Sequence, residues 1–461
     1  VTHTRTSHMR RLVSSVAGAG ALALVLAGCN DFLKAKNLTH NPNYPTVGTT
    51  GALFISAQAD IYYQNEGQLA RTVCIWMQQC GGQAAPFSSL NLYIYGPDDY
   101  LNNWSAIYDG GGLIDLKAIE QQSLAVGDSL FTGQAIVLEA IQMSMGADIW
   151  GNVPYSQASQ FPAIKTPVSD PQAQVYDSLE TALSQAIVYM NATGATNVGA
   201  QASDNLYGGA AAPWIALANT LKARIFIHQA EKLGVTAYDS VLTYAAQGIT
   251  DPTGAGDFIS VHTATANTAN LWSDFQSIYA GDISAGGTIV NIMNGQTDPR
   301  LPAYFTDVGG LYIGSDTASG ATLSTLSATR SAQTFGQPIV TYAENQLMIA
   351  EAYCQLHNKP AATTAFNAEQ TEQGVTPTGP VNLGTIMTEK YIALFQNIEV
   401  WNDWKRTGYP VLAPLGGAQQ IPRRLTYPLT ERDANPNTPP DGVQNPNDPT
   451  TTPGVPIASG C

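Results

Sequence analysis

The stretch "YAENQLMIAEAYCQLHNKPAATTAFNAEQ" (residues 342–370) decides the class of the fold. Ala343, Leu347, Ala350 and Tyr353 recur at three- and four-residue steps, which puts them on one face of a helix. The pattern stops at His357-Asn358-Lys359-Pro360 and resumes with Ala361, Ala365 and Ala368. Small residues at such steps let two antiparallel helices approach closely, as in tetratricopeptide hairpins. The stretch "GGAAAPWIALANTLKARIFIHQAEKLG" (208–234) has the same character. A strict tetratricopeptide period does not run through the chain, so the repeat reading rests on these two hairpins.

Working outward, apolar residues keep helical spacing over 49–65, 101–122, 132–145, 174–190, 213–233, 237–246, 287–293 and 383–396. Strand-like alternation forms no comparable series, and the expected class is mainly α, a tetratricopeptide-like scaffold of helical hairpins with long irregular loops. "EVWNDWKRTGYP" (399–410) reads as the end of a buried helix, with Lys405 and Arg406 favoured in its last turn by the helix dipole and Gly408 and Pro410 stopping it. "DIWGNVPY" (148–155) reads as a helix end and a tight turn through Gly151 and Pro154, with Trp150 and Tyr155 packing. In "TDPRLPAYF" (297–305), Asp298 and Arg300 are expected to hold a turn as a local ion pair.

Residues 1–28 have the layout of a secretory signal: Arg5, Arg10 and Arg11, then small and apolar residues up to Gly28. The apolar run is too short for a confident membrane span. It ends in Leu26-Ala27-Gly28-Cys29, which resembles a lipoprotein cleavage box, so Cys29 is the expected lipidation site. Acyl chains gain about 0.8 kcal/mol per buried CH₂, enough for two or three to anchor a protein to a membrane it does not span. The expected layout is a signal over 1–28, a lipidated tether over 29–48, a helical domain over 49–431 and a Pro/Asn-rich tail over 432–461.

Only 12% of the 461 residues are charged and the formal net charge is −15, about −18 without the leader arginines. Such a surface argues against nucleic acid or an anionic membrane surface as a partner and favours neutral or weakly charged ligands. CxxC and CxxH spacings, phosphate loops and dinucleotide fingerprints are absent from the sequence, so no metal and no cofactor is expected. A glycoside hydrolase needs two carboxyl groups about 5–9.5 Å apart. Asp98, Asp99, Asp109, Asp282 and Asp298 offer the material, yet none sits in a catalytic motif, and no enzyme is expected.

The long Gly/Ser/Thr/Asn segments 81–100, 254–270 and 309–337 are of the length that compact domains use for function. "CIWMQQCGGQAAPFSSLNLYIYGPDDY" (74–100) gathers Trp76, Phe87, Tyr93, Tyr95 and Tyr100 with Gln79, Gln83 and Asn91, outside any helical period. Aromatic faces stack on the CH-rich faces of sugars or on peptide planes, and amides bond hydroxyls. These residues are therefore candidate ligand contacts; the alternative is that they pin a long loop to the body. "NTANLWSDFQSIYAGD" (267–282) adds Trp272 and Tyr279. Cys74 and Cys80 either close a short loop as a disulfide or remain two thiols.

Eight stretches in order resemble the SusD/RagB nutrient-binding outer-membrane lipoproteins: "NPNYPT" (41–46), "WSAIY" (104–108), "ADIWGNVPYSQA" (147–158), "ANTLKAR" (218–224), "NLWSDF" with "DPRLPAYF" (270–275, 298–305), "ENQLMIAEA" (344–352), "EKYIALFQNIEVWNDWKRTGYP" (389–410) and "IPRRLTYPLTE" (421–431). The resemblance implies a tetratricopeptide-like scaffold whose loops build a surface ligand site. It also implies a non-enzymatic binder that passes a glycan, or in some members a peptide, to a TonB-dependent, SusC-like transporter. A helical-repeat adaptor that holds only a protein partner is the competing reading. The ending departs from the pattern, because no aromatic finish follows Glu431.

Overall fold

Ser129–Trp150 is the helix around which the others are arranged. It is apolar on every side, the signature of a helix enclosed by protein, and every residue from Phe131 to Trp150 is buried. Asp128 starts it, its carboxylate accepting the Phe131 N–H at 3.1 Å. The helix Gln172–Met190 returns antiparallel against it, and the approach is close: a Cβ on Gly133 would stand 2.8 Å from the Ala186 carbonyl oxygen. Only glycine fits there.

The computed structural model describes residues 48–265, 267–315, 322–377, 379–418, 420–440 and 461. Residues 1–47, which include the expected signal, Cys29 and most of the expected tether, and residues 441–460 of the expected tail lie outside them. Residues from Thr50 to Cys461 cluster as one unit. No helix among the described residues is long and apolar enough to cross a membrane.

The expected hairpin is present as Tyr342–Gln355 and Lys359–Glu372. Thr341 and Asn358 cap the two helices by accepting N–H groups of Glu344 and Ala361. Its seam is rotated from the expected one: Leu347, Ala350 and Cys354 meet Ala362, Ala365 and Phe366, while Ala361 and Ala368 are only half-buried. Phe366 buries far more apolar surface than an alanine and turns the helix to suit. A second hairpin pairs Ala211–His228 with Val235–Ala245. The pattern over 101–122 becomes two helices, Leu101–Tyr108 and Leu113–Ala125, because three consecutive glycines at 110–112 interrupt it. Gln68–Trp76 and Leu271–Ile278 are helices that periodicity did not reveal. Among the described residues two small antiparallel sheets complete the fold, Cys80–Gly82 with Ile283–Ala285 and Phe258–Ile259 with Pro338–Val340. Cys354 is bonded to Cys461.

Few residues are charged, yet many of those are buried against one another. Arg224 of "ANTLKAR" grips Glu344 of "ENQLMIAEA", Nε to Oε1 at 2.6 Å, and so ties the two hairpins. Lys405 and Arg406 do more than face a helix dipole. Lys405 lies 4.4 Å over the Trp401 ring and donates to the Asp148 carbonyl oxygen, and Arg406 bonds Glu351 and Asp403. Asp298 and Arg300 form the expected pair at 2.6 Å, with Glu389 as a third member. The motif residues of these segments are thus inter-helix electrostatic ties.

His228 sits between two carboxylates, Nδ1 3.0 Å from Asp148 and Nε2 2.5 Å from Glu399. Burial alone would lower its pKa; the two carboxylates outweigh that and push it up to about 10. Since the folded value exceeds the ordinary 6.5, the stability this cluster contributes is complete below that pH and is lost as pH climbs through about 10. Asp60 and Asp257, raised by burial to about 7, slope the same way at lower pH, because the folded state holds their protons more tightly. The thermal midpoint is expected to fall from pH 6 to about pH 8 and less steeply above it, where Lys405, lowered by burial to about 8, pulls the other way, and His228→Gln should remove much of the fall. A midpoint that rises over that span contradicts this assignment.

Candidate functional site

The two loops singled out by their aromatics come together in space. Cys80 stands opposite Ala285 and Gly82 opposite Ile283 in the first small sheet. Gln83 extends the pairing, its N–H donating to the Asp282 carbonyl oxygen at 2.7 Å and its side-chain amide to Ser284 Oγ at 3.0 Å. A Cβ on Gly81 would fall 2.0 Å from the Ser315 carbonyl oxygen, and one on Gly286 2.1 Å from that of Gln78. Three backbones therefore meet where side chains would keep them apart. Cys74 and Cys80 are joined by a disulfide with a Cα separation of 5.1 Å.

Most of the aromatics expected to face ligand face the core instead. Trp76 has no exposed surface; its ring packs edge-on to Trp401 at 5.2 Å and against Tyr95 at 5.4 Å. Tyr93, Tyr100 and Trp272 are buried too, with the Tyr93 hydroxyl accepting the Leu415 N–H and the Tyr100 hydroxyl 2.8 Å from Thr72 Oγ1. The amides have structural duties. Asn91 bonds both backbone groups of Gly82, and Gln79 donates to the Tyr391 carbonyl oxygen while accepting the Gln396 N–H. The expectation of a broad aromatic platform is corrected for these six residues: a long loop has to bury its own apolar surface, and these side chains do so.

Phe87, Tyr95, Gln83 and Tyr279 keep exposed surface. Around two of them lies a ledge of rings. Phe275 and Tyr279 stack at 5.3 Å with 29° between their planes, and Phe87 meets Phe275 edge-on at 5.0 Å. The Arg71 guanidinium lies 4.6 Å from the Phe275 ring and holds it from the buried side of the chain, since Arg71 also donates to the Glu66 carbonyl oxygen. Burial lowers the Arg71 pKa to about 10, which leaves it cationic at neutral pH. Tyr279 is 50% exposed, and neighbouring Ile278 is also open to solvent. Phe275 was missed in the sequence, although its spacing of four from Tyr279 places the two on one helical face. Of the carboxylates a hydrolase would need, Asp98 accepts the Leu429 N–H, Asp99 the Gly96 N–H, and Asp298 is paired with Arg300.

A family model described as starch-binding and associating with the outer membrane matches residues 42–428. The chain belongs to the SusD-like family. This is a family of non-catalytic binding proteins associated with the outer membrane. The solved structures agree with this SusD-like fold. A protein described as chitin-binding superposes with a TM-score of 0.73 at 21% identity, covering 86% of this chain and 96% of its own. A SusD/RagB family protein from Bacteroides thetaiotaomicron gives 0.71 at 19%, covering 88% and 98%. A chitin-binding SusD homologue from Flavobacterium johnsoniae gives 0.71 at 19%, covering 86% and 95%. No curated protein sequence matches. Several of the eight motifs supply ties of this scaffold, among them Arg224 with Glu344, Asp298 and Arg300 with Glu389, and Lys405 with the Asp148 carbonyl oxygen, while 41–46 lies outside the described residues.

Proposed function

We propose that this SusD-like protein is a lipid-anchored binder of neutral oligosaccharide that hands its ligand to a TonB-dependent, SusC-like transporter. The observation that carries the reading is the ledge of Phe87, Phe275 and Tyr279, an aromatic surface backed by a cation and set among loops with little charge. A sugar ring offers CH groups to such a face and hydroxyls to the neighbouring Gln83 amide and to backbone groups. The family description names starch, and two of the structural relatives are described as chitin-binding. Both polysaccharides present neutral rings of this kind.

Retention on immobilised starch and chitin, with release by the matching soluble oligosaccharide, tests the proposal. Retention on at least one, with no reducing ends liberated, is expected. Passage through both columns overturns the glycan reading. The anchor has a separate test. Cys29→Ser should leave a folded protein that carries no acyl label and partitions into the aqueous phase on detergent phase separation; unchanged membrane association would remove the anchor.

A further inference from the structure

A second concavity, of about 370 Å³, lies away from the ledge and shares no residue with it. That volume falls in the range of about 300–1,000 Å³ used for small ligands. Three distant segments build it: the helix Leu101–Tyr108 with the turn after it, the loop that follows Pro154, and the start of the helix Leu429–Ala434. Trp104 is held rigidly at its edge by edge-on contacts with Trp150, Tyr427 and Tyr108, all at 5.3–5.6 Å. Ile114, Ile164 and Phe161 supply apolar walls, and Phe161 is 76% exposed, which leaves its ring free to cover a ligand.

Two polar features make the cleft more than a greasy hollow. The Tyr108 hydroxyl is buried and has no hydrogen-bond partner among the described residues. Burial, with Glu431 and Tyr427 nearby, holds this phenol well above its ordinary range, so it stays a donor without an acceptor. A buried unmatched hydroxyl costs on the order of 1–3 kcal/mol, which a ligand oxygen would relieve. Charges of both signs also line the same cleft, in a chain that has few: Lys165 and Asp109, neither in an ion pair among the described residues, and Glu431.

We infer that this cleft is a second ligand site, for a zwitterionic molecule of about dipeptide size that carries an apolar side chain. The apolar group lies against Phe161 and Ile164, the ammonium meets Asp109 and Glu431, the carboxylate meets Lys165, and a carbonyl oxygen accepts from Tyr108. A neutral sugar would satisfy the hydroxyl but leave the charges unmatched and cover the apolar walls poorly.

Calorimetric titration of the full chain with phenylalanyl-leucine tests this, alongside the same dipeptide acetylated and amidated, and maltotriose and chitotriose. Saturable binding of the free dipeptide is expected, weakened at least tenfold by capping its ends, by Phe161→Ala and by Lys165→Ala. All of these sites are exposed, so the melting curve should not move. Tyr108→Phe should lower affinity several-fold without loss of stability, since the hydroxyl it removes has no partner. Tyr279→Ala should change nothing here. Absence of dipeptide binding, binding indifferent to Phe161→Ala and Lys165→Ala, or a trisaccharide that competes for the cleft each overturns the inference. Dipeptide binding, or its absence, leaves the reading of the ledge untouched, whereas a competing trisaccharide would count against both.

Discussion

Trp76→Ala is expected to cost about 3–5 kcal/mol of folding stability, read from urea denaturation, and to leave oligosaccharide affinity unchanged in the fraction that folds. The ring has no exposed surface and packs against Trp401, Tyr93 and Tyr95, so truncation leaves a void where the loop 81–100 is fastened to the helical body. The disulfide from Cys74 to Cys80 holds the adjacent backbone in place and limits how far the site can collapse. A loss of affinity with stability intact would put Trp76 at the ligand and contradict its placement in the core.

Arg224→Ala should be of the same size, about 3–5 kcal/mol, for a different reason. Both Arg224 and Glu344 are buried, and their two parallel hydrogen bonds join the two helical hairpins. Arg224 also donates to the Ile339 carbonyl oxygen at 2.9 Å. Removing the guanidinium leaves the Glu344 carboxylate buried without its counter-charge, which is far more costly than losing an exposed pair. The double variant Arg224→Met, Glu344→Leu should recover much of the loss, because it removes both charges and fills similar volume. If the single variant loses less than about 1 kcal/mol, the pair is not a tie of the fold.

The helices were legible because burial imposes a period on the sequence, and the hairpin at 342–370 was read with its turn in the right place. Its seam was misjudged by one position, since alanine steps mark close approach but Phe366 sets the rotation. Trp76 was misread because its helix, Gln68–Trp76, is only nine residues long and runs straight into the Cys and Gly residues that suggested a loop. Phe87 and Tyr279 were legible as ligand candidates, while Phe275 between them was not, since its stretch "NLWSDF" stood out only through the family resemblance. The cleft could not have been read at all: Tyr108, Phe161 and Glu431 come from segments far apart in the chain, and only the fold brings them together. The ion ties were visible as motifs but not as pairs, because spacing along one helix says nothing of the partner on another.

Titration of the oligosaccharide retained best, against the unmodified protein and Tyr279→Ala, is the most direct measurement of the central claim. The exposed ring contributes a stacking face and little packing, so the variant should lose about tenfold or more in affinity, roughly 1.4 kcal/mol, with an unchanged melting curve. Phe87→Ala should add to the loss. Full affinity in the Tyr279→Ala, Phe87→Ala double variant would contradict the account and move the glycan site away from the ledge.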